Sequence, residues 1–208
     1  MKFRALILLG LAACGASSFA SITIRFDNTG LGSSVDYVYN GNARSNFAGQ
    51  MHFTDMTHSI GLTTFCVDLD HMIGGGSTYV ADVVPTLGDA VVQLAGSVYA
   101  NGQATVASNP DATALQIAIW SARYGGNLGA NTGAFHLNSS WYSSHSSIIT
   151  KAINFTTAGQ LNLLDAIHYR PSPVDGGQAQ LGPVPEPASL LALGVGLVGM
   201  FRKRLRKS

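Results

Sequence analysis

The feature that most constrains the fold is a change of hydrophobic period near the middle of the chain. From residue 21 to about residue 84, apolar and polar residues alternate. Ile22, Ile24 and Phe26 stand against Thr23 and Arg25, and a period of two marks a half-buried strand. Residues 35–39, 47–53, 60–69 and 78–84 read as further strands, separated by turn clusters such as Asn40-Gly41-Asn42 and Gly74-Gly75-Gly76. The period then becomes helical. Over residues 89–100, Val91, Val92, Leu94, Ala95, Val98 and Tyr99 share a broad helical face. Asn109-Pro110-Asp111 reads as a helix start, with an Asn cap, a proline in the first position and an acid in the first turn. That helix runs to about Tyr124, with Leu115, Ala118, Ile119 and Ala122 on its buried stripe. Residues 144–155 predict a third helix, and residues 161–169 fit either a closing strand or a short helix. The polar stretch 138–147 reads as a surface loop that packs Trp141 and Tyr142 inward, the alternative being that it offers them to a sugar. Strands followed by helices predict an α+β fold. The expectation is a single domain over residues 21–170, with β-barrel or sandwich-like N-terminal strands and an inserted helical portion. A linker over 171–183 and a C-terminal hydrophobic helix complete it.

Charge is informative only when divided along the chain. The whole sequence carries 12 Lys and Arg against 11 Asp and Glu. Lys2 and Arg4 lie at one end, and Arg202, Lys203, Arg204, Arg206 and Lys207 at the other. Between them Arg25, Arg44, Arg123, Lys151 and Arg170 face all 11 acids, leaving a formal charge of −6. An acidic body argues against nucleic acid as a partner, because phosphate binding needs clustered Lys and Arg to release counterions. Charged residues make up only 11% of the chain, against about 25% in soluble domains. With 24 Gly, that composition suits a β-rich exported protein.

Both ends read as addresses. Residues 1–20 form a secretory signal peptide, with Lys2 and Arg4 before the apolar run 5–13 and Ser18-Phe19-Ala20 as a cleavage site. Leu11-Ala12-Ala13-Cys14 also resembles a bacterial lipobox, on which reading Cys14 is lipidated. At the other end Pro185-Glu186-Pro187 precedes the apolar stretch 188–201 and a basic stop. Fourteen residues make about 21 Å of helix, shorter than the ~30 Å hydrocarbon core, so this transmembrane segment suits transient anchoring. Residues 184–208 resemble the PEP-CTERM sorting signal of Gram-negative, exopolysaccharide-producing bacteria. The resemblance implies recognition of Pro185, Glu186 and Pro187 by exosortase, a membrane protease. The chain would then be held briefly in the inner membrane before transfer to the cell surface or extracellular matrix.

Once the signal peptide is removed, Cys66 is the body's single cysteine. A lone thiol in an oxidising compartment is buried, used between chains, or masked by another bond. Alternation sets Cys66 on the side of its strand opposite Phe65 and Val67. Downstream, Gln116 and Trp120 are four apart and share a helical face. An amide beside an apolar stripe is costly unless it finds a partner. Phe65-Cys66 and Leu115-Gln116-x-Ala118-Ile119-Trp120 together resemble the internal-thioester domain of bacterial surface adhesins. Ala114 stands where several relatives carry Thr. The resemblance implies a bond from the Cys66 sulfur to the Gln116 side-chain carbonyl carbon, shielded from water by Phe65 and Trp120. It implies single-turnover covalent attachment to an amine or hydroxyl, with no cofactor, and therefore not an enzyme. Cys66 as a buried small hydrophobe and Gln116 as a clamp on a strand end stand as the plainer alternative.

Other motifs carry less. Asp68, Asp70 and His71 lie beside Cys66, but their spacing lacks the paired His and Cys of zinc sites, so no metal is expected. No nucleophile motif frames Cys66 with His52, His58, His71, His136, His145 or His168. The rival function from a different class is a non-covalent structural or carbohydrate-binding protein of the exopolysaccharide matrix, delivered by the same tail.

Overall fold

Ile22, Ile24 and Phe26 begin a strand that does not stop at the expected turn. The computed structural model describes residues 21–172 and 176–184. In it β1 (Ser21–Tyr39) joins two expected strands into one of 19 residues. Two register shifts against β2 (Asn42–Asp55), between Phe26 and Asn28 and between Thr29 and Gly32, make this possible. Each bulge adds an unpaired residue and rotates the strand beyond it. The inward set changes from Ile22, Ile24 and Phe26 to Val35, Tyr37 and Tyr39, so one strand supplies two cores. Gly32 pairs with Gly49 at the change. A Cβ on Gly49 would lie 2.2 Å from the Leu31 carbonyl oxygen, and one on Gly32, whose φ is +153°, 2.4 Å from that of Ala48. Only glycine permits that approach.

The remaining strands are β3 (Ile60–Cys66), β4 (Thr78–Pro85), β5 (Phe135–Leu137), β6 (Ile167–Pro171) and β7 (Gln180–Gly182). They form one antiparallel sheet in the order β2-β3-β7-β6-β4-β1-β5. Because β2 also pairs with β1, the ladder of six strands returns on itself, with β5 added on the second half of β1. A single sheet thus replaces the expected alternative of two stacked sheets. Inside the ring Ile22, Ile24, Phe26, Phe53, Tyr79, Ala81, Ile167 and Tyr169 form the smaller core.

The helices are α1 (Gln93–Gly102), α2 (Asn109–Tyr124), α3 (Ser139–Ser144) and α4 (Ser146–Leu161). They lie in sequence between β4 and β6, as expected of an inserted portion, and cover the outer face of the ring. Val35, Tyr37, Phe65 and Leu181 from the sheet meet Val98, Leu115, Ile119 and Ile149 there. The cap of α2 is Ser108, one residue before the expected Asn109. Its hydroxyl accepts from the Asp111 N–H and donates to the Asp111 carboxylate. The polar stretch expected as a loop is helix α3 and the start of α4. Asn138 caps it, and Trp141 is buried against the core as expected. The largest difference concerns the expected linker. Residues 180–182 form β7, buried between β3 and β6. Among the described residues no helix is long and apolar enough to cross a membrane. The signal peptide, Cys14, the Pro185-Glu186-Pro187 element and the apolar stretch 188–201 lie outside them.

Among the described residues, one buried imidazole has neither ring nitrogen hydrogen-bonded. It belongs to His168 on β6, which is 6% exposed. Burial pushes it down from 6.5 to about 4, so the folded chain holds it neutral. The unfolded chain takes up a proton near pH 6.5 and the folded chain only near 4, so acid favours unfolding across this window. Stability contributed by neutral His168 is expected to fall as pH drops, by up to roughly 3 kcal/mol. Urea midpoints at pH about 7 and about 4.5 check this, and His168→Leu should flatten the slope.

Candidate functional site

The site is built where β3 ends under α2. Sequence patterning predicts an amphipathic α2, yet every residue from Ala112 to Ser121 is buried. The helix is therefore surrounded, and any polar side chain on it must find a partner inside the protein. Gln116 is fully buried. Its Nε2 donates to the Cys66 carbonyl oxygen at 2.6 Å, and its Oε1 accepts from the Cys66 N–H at 3.1 Å. The carboxamide thus pairs with both backbone groups of the residue that carries the thiol, much as another strand would. Fifty positions of sequence separate the two residues, and the fold brings them together.

The thiol is turned toward the loop after β3. Cys66 Sγ–H donates to the Asp68 carbonyl oxygen at 2.7 Å, and the Asp68 N–H donates to the sulfur at 3.3 Å. Burial pushes the Cys66 thiol up to about 12, although the Asp68 N–H and the Trp120 indole act in the opposite sense. The Trp120 indole N–H has no hydrogen-bond partner among the described residues, and it is near enough to the sulfur to favour the thiolate. Trp120 is fixed from behind by Tyr37 and Phe135, with ring centroids 5.5 and 6.0 Å away. Phe65 occupies the other face of β3, where it meets Tyr99 edge-on at 5.9 Å. It covers the strand from the helix side, while Trp120 stands next to the sulfur.

Several participants escape a reading of the sequence. A small cavity of about 140 Å³ adjoins Cys66, walled mostly by apolar residues such as Phe26, Met51, Leu69, Ile73 and Trp120, with Thr29, Asn46, Asp68 and Gln178 also on its lining. Apolar walls of this kind limit water at a reactive bond. The loop that receives the thiol is held by two buried amides flanking and within β7. Thr64 donates to Gln180, Gln180 donates to Gln178, and Gln178 donates to the carbonyl oxygens of Asp68 and His71. The signal for these was the alternation Gln178-Ala179-Gln180-Leu181, which is too short to stand out in a Gly- and Pro-rich stretch. Asp68 also holds His71, with Nδ1 at 2.6 Å from its carboxylate. Among the described residues no group of three His, Cys, Asp or Glu is placed to hold a metal ion.

Against known proteins, the PEP-CTERM protein-sorting motif matches residues 183–207. The motif implies export and processing by exosortase, a membrane protease, with sorting through the membrane to the surface. No curated protein and no solved structure matches the chain.

Proposed function

We propose that the body of this chain forms an internal thioester between Cys66 and Gln116 and uses it for covalent attachment at the cell surface or in the extracellular matrix. The observation that carries the reading is the pairing of the Gln116 carboxamide with both backbone groups of Cys66. That grip sets the electrophilic carbon beside the residue bearing the nucleophile, and enforced proximity of this kind can supply about 7–11 kcal/mol of a barrier. The step balances without a cofactor. The sulfur adds to the Gln116 carbonyl carbon, the thiol proton passes to the amide nitrogen, and the carbon–nitrogen bond breaks to release ammonia. An incoming amine then attacks the same carbon, forms an amide and returns Cys66 as a thiol. The Asp68 N–H and the Trp120 indole favour the anionic sulfur that both steps pass through. The cavity beside Cys66 is small and mostly apolar, which suits the apolar stem of a lysine better than a bulky nucleophile.

One observation favours a second reading. Gln116 is already satisfied by the strand end, and the thiol is pushed up to about 12. A clamp of that kind needs no covalent bond, and the chain would then be a non-covalent structural or carbohydrate-binding protein of the matrix. Intact mass separates the two. The thioester reading expects the purified chain to weigh less than its sequence by one ammonia, and methylamine to abolish that deficit by adding its own mass. A full mass with a freely titrating thiol overturns it.

A further inference from the structure

A second and larger cavity, of about 610 Å³, opens between β6, the loop after β3, the start of α1 and the end of α2. This volume is typical of small-molecule sites. Its charged groups divide by whether their bonds are already made. Asp68 accepts from the Asp70 N–H and His71, Asp70 from the Tyr39 hydroxyl, and Asp89 from the Val91 N–H. Arg170 reaches Asp82 at 3.4 Å. The carboxylates are thus engaged within the protein.

Two groups are not. Arg123 lies over the Tyr124 ring at 5.0 Å and makes no ion pair or hydrogen bond among the described residues, leaving five donors in a planar fork that fits a carboxylate. His168 lines the same cavity, is 94% buried and has both nitrogens unpartnered. A neutral imidazole offers one donor and one acceptor, which matches a hydroxyl group, itself both donor and acceptor. The imidazole torsion about Cβ–Cγ is soft and roughly two-fold. A half-turn exchanges the carbon and nitrogen edges of the ring, and binding here requires such a rotation to turn a nitrogen, now buried, toward an occupant. Val91, Val92 and Ala179 supply an apolar wall.

We propose that this cavity binds a small hydroxylated carboxylate of the hexuronate kind. Arg123 takes the carboxylate, His168 takes a ring hydroxyl, and the Val91–Val92 wall receives the C–H face of the sugar. Nothing in this depends on the thioester.

Calorimetric titration of the purified full chain with glucuronate, glucose and acetate tests the proposal. Glucuronate should bind at least about tenfold more tightly than either fragment, and Arg123→Gln should weaken it by about tenfold. His168→Leu should weaken glucuronate and leave acetate unchanged. Equal binding of glucose would show that the carboxylate is not read, and equal binding of acetate that the ring is not. Either result, no binding of glucuronate, or an unaltered affinity in Arg123→Gln overturns the proposal. Arg123 is only half-buried at the end of α2, so its variant keeps the test decisive even if His168→Leu fails to fold.

Discussion

Cys66→Ala is expected to abolish covalent capture completely while leaving a folded chain, and Gln116→Ala to abolish capture and damage the fold as well. The contrast arises from the second role each side chain plays besides reacting. Removing Sγ takes one atom from a buried place and ends two weak sulfur hydrogen bonds, one to the Asp68 carbonyl oxygen and one from the Asp68 N–H, a cost of about 1–2 kcal/mol. Removing the Gln116 carboxamide leaves the N–H and C=O of Cys66 buried without those partners. Two orphaned groups at about 1–3 kcal/mol each cost roughly 2–6 kcal/mol, a large part of a typical 5–15 kcal/mol margin. Incubation with a biotinylated amine, followed by denaturing electrophoresis, reads capture, and urea unfolding reads stability. Label retained by Cys66→Ala would end the thioester mechanism. A Gln116→Ala chain as stable as the parent would show that the amide is no clamp.

Ending the chain at Ser172 is expected to prevent folding altogether, whereas ending it at Val184 should leave the body intact. The shorter chain lacks β7, the strand that joins β3 to β6. Leu181 is fully buried in the larger core, and loss of such a side chain alone costs about 2–5 kcal/mol. The same cut removes the strand neighbours of Phe65, Cys66 and Ile167–Tyr169. It also removes the amides that hold the Asp68–His71 loop. The combined loss exceeds the usual margin. Far-ultraviolet circular dichroism and hydrogen exchange check the outcome. A cooperatively folded chain ending at Ser172 would mean that β7 is dispensable.

The contrast between these two sites shows how much was legible in the sequence. Strands and helices could be read where periodicity persists, as in Ser21–Phe26 and the run from Pro110 to Tyr124. The meeting of Cys66 and Gln116 was legible only as a resemblance between two short motifs, because local pattern says nothing of a contact spanning 50 positions. Three features were hidden for physical reasons. The fusion of two strands into β1 depends on the close approach of Gly32 and Gly49, a property of paired backbones. The complete burial of α2 comes from neighbours on every side, so its stripe gave only one of its faces. β7 is three residues long and exists by virtue of β3 and β6, with no pattern of its own. The Ser-rich α3 was hidden differently, since serines favour caps and turns in isolation and packing of Trp141 decides the matter.

The position of β7 also has a mechanical consequence. The matched sorting segment starts at residue 183, directly after Gly182 closes that strand. Tension passed along the backbone from residue 183 would therefore reach β7 first, and through Gln180 and the adjacent Gln178 the loop around the sulfur. A tether fastened at that end and a load fastened at Gln116 would stretch the molecule along a short path through β7 and β3. Most of the ring would stand outside the line of force.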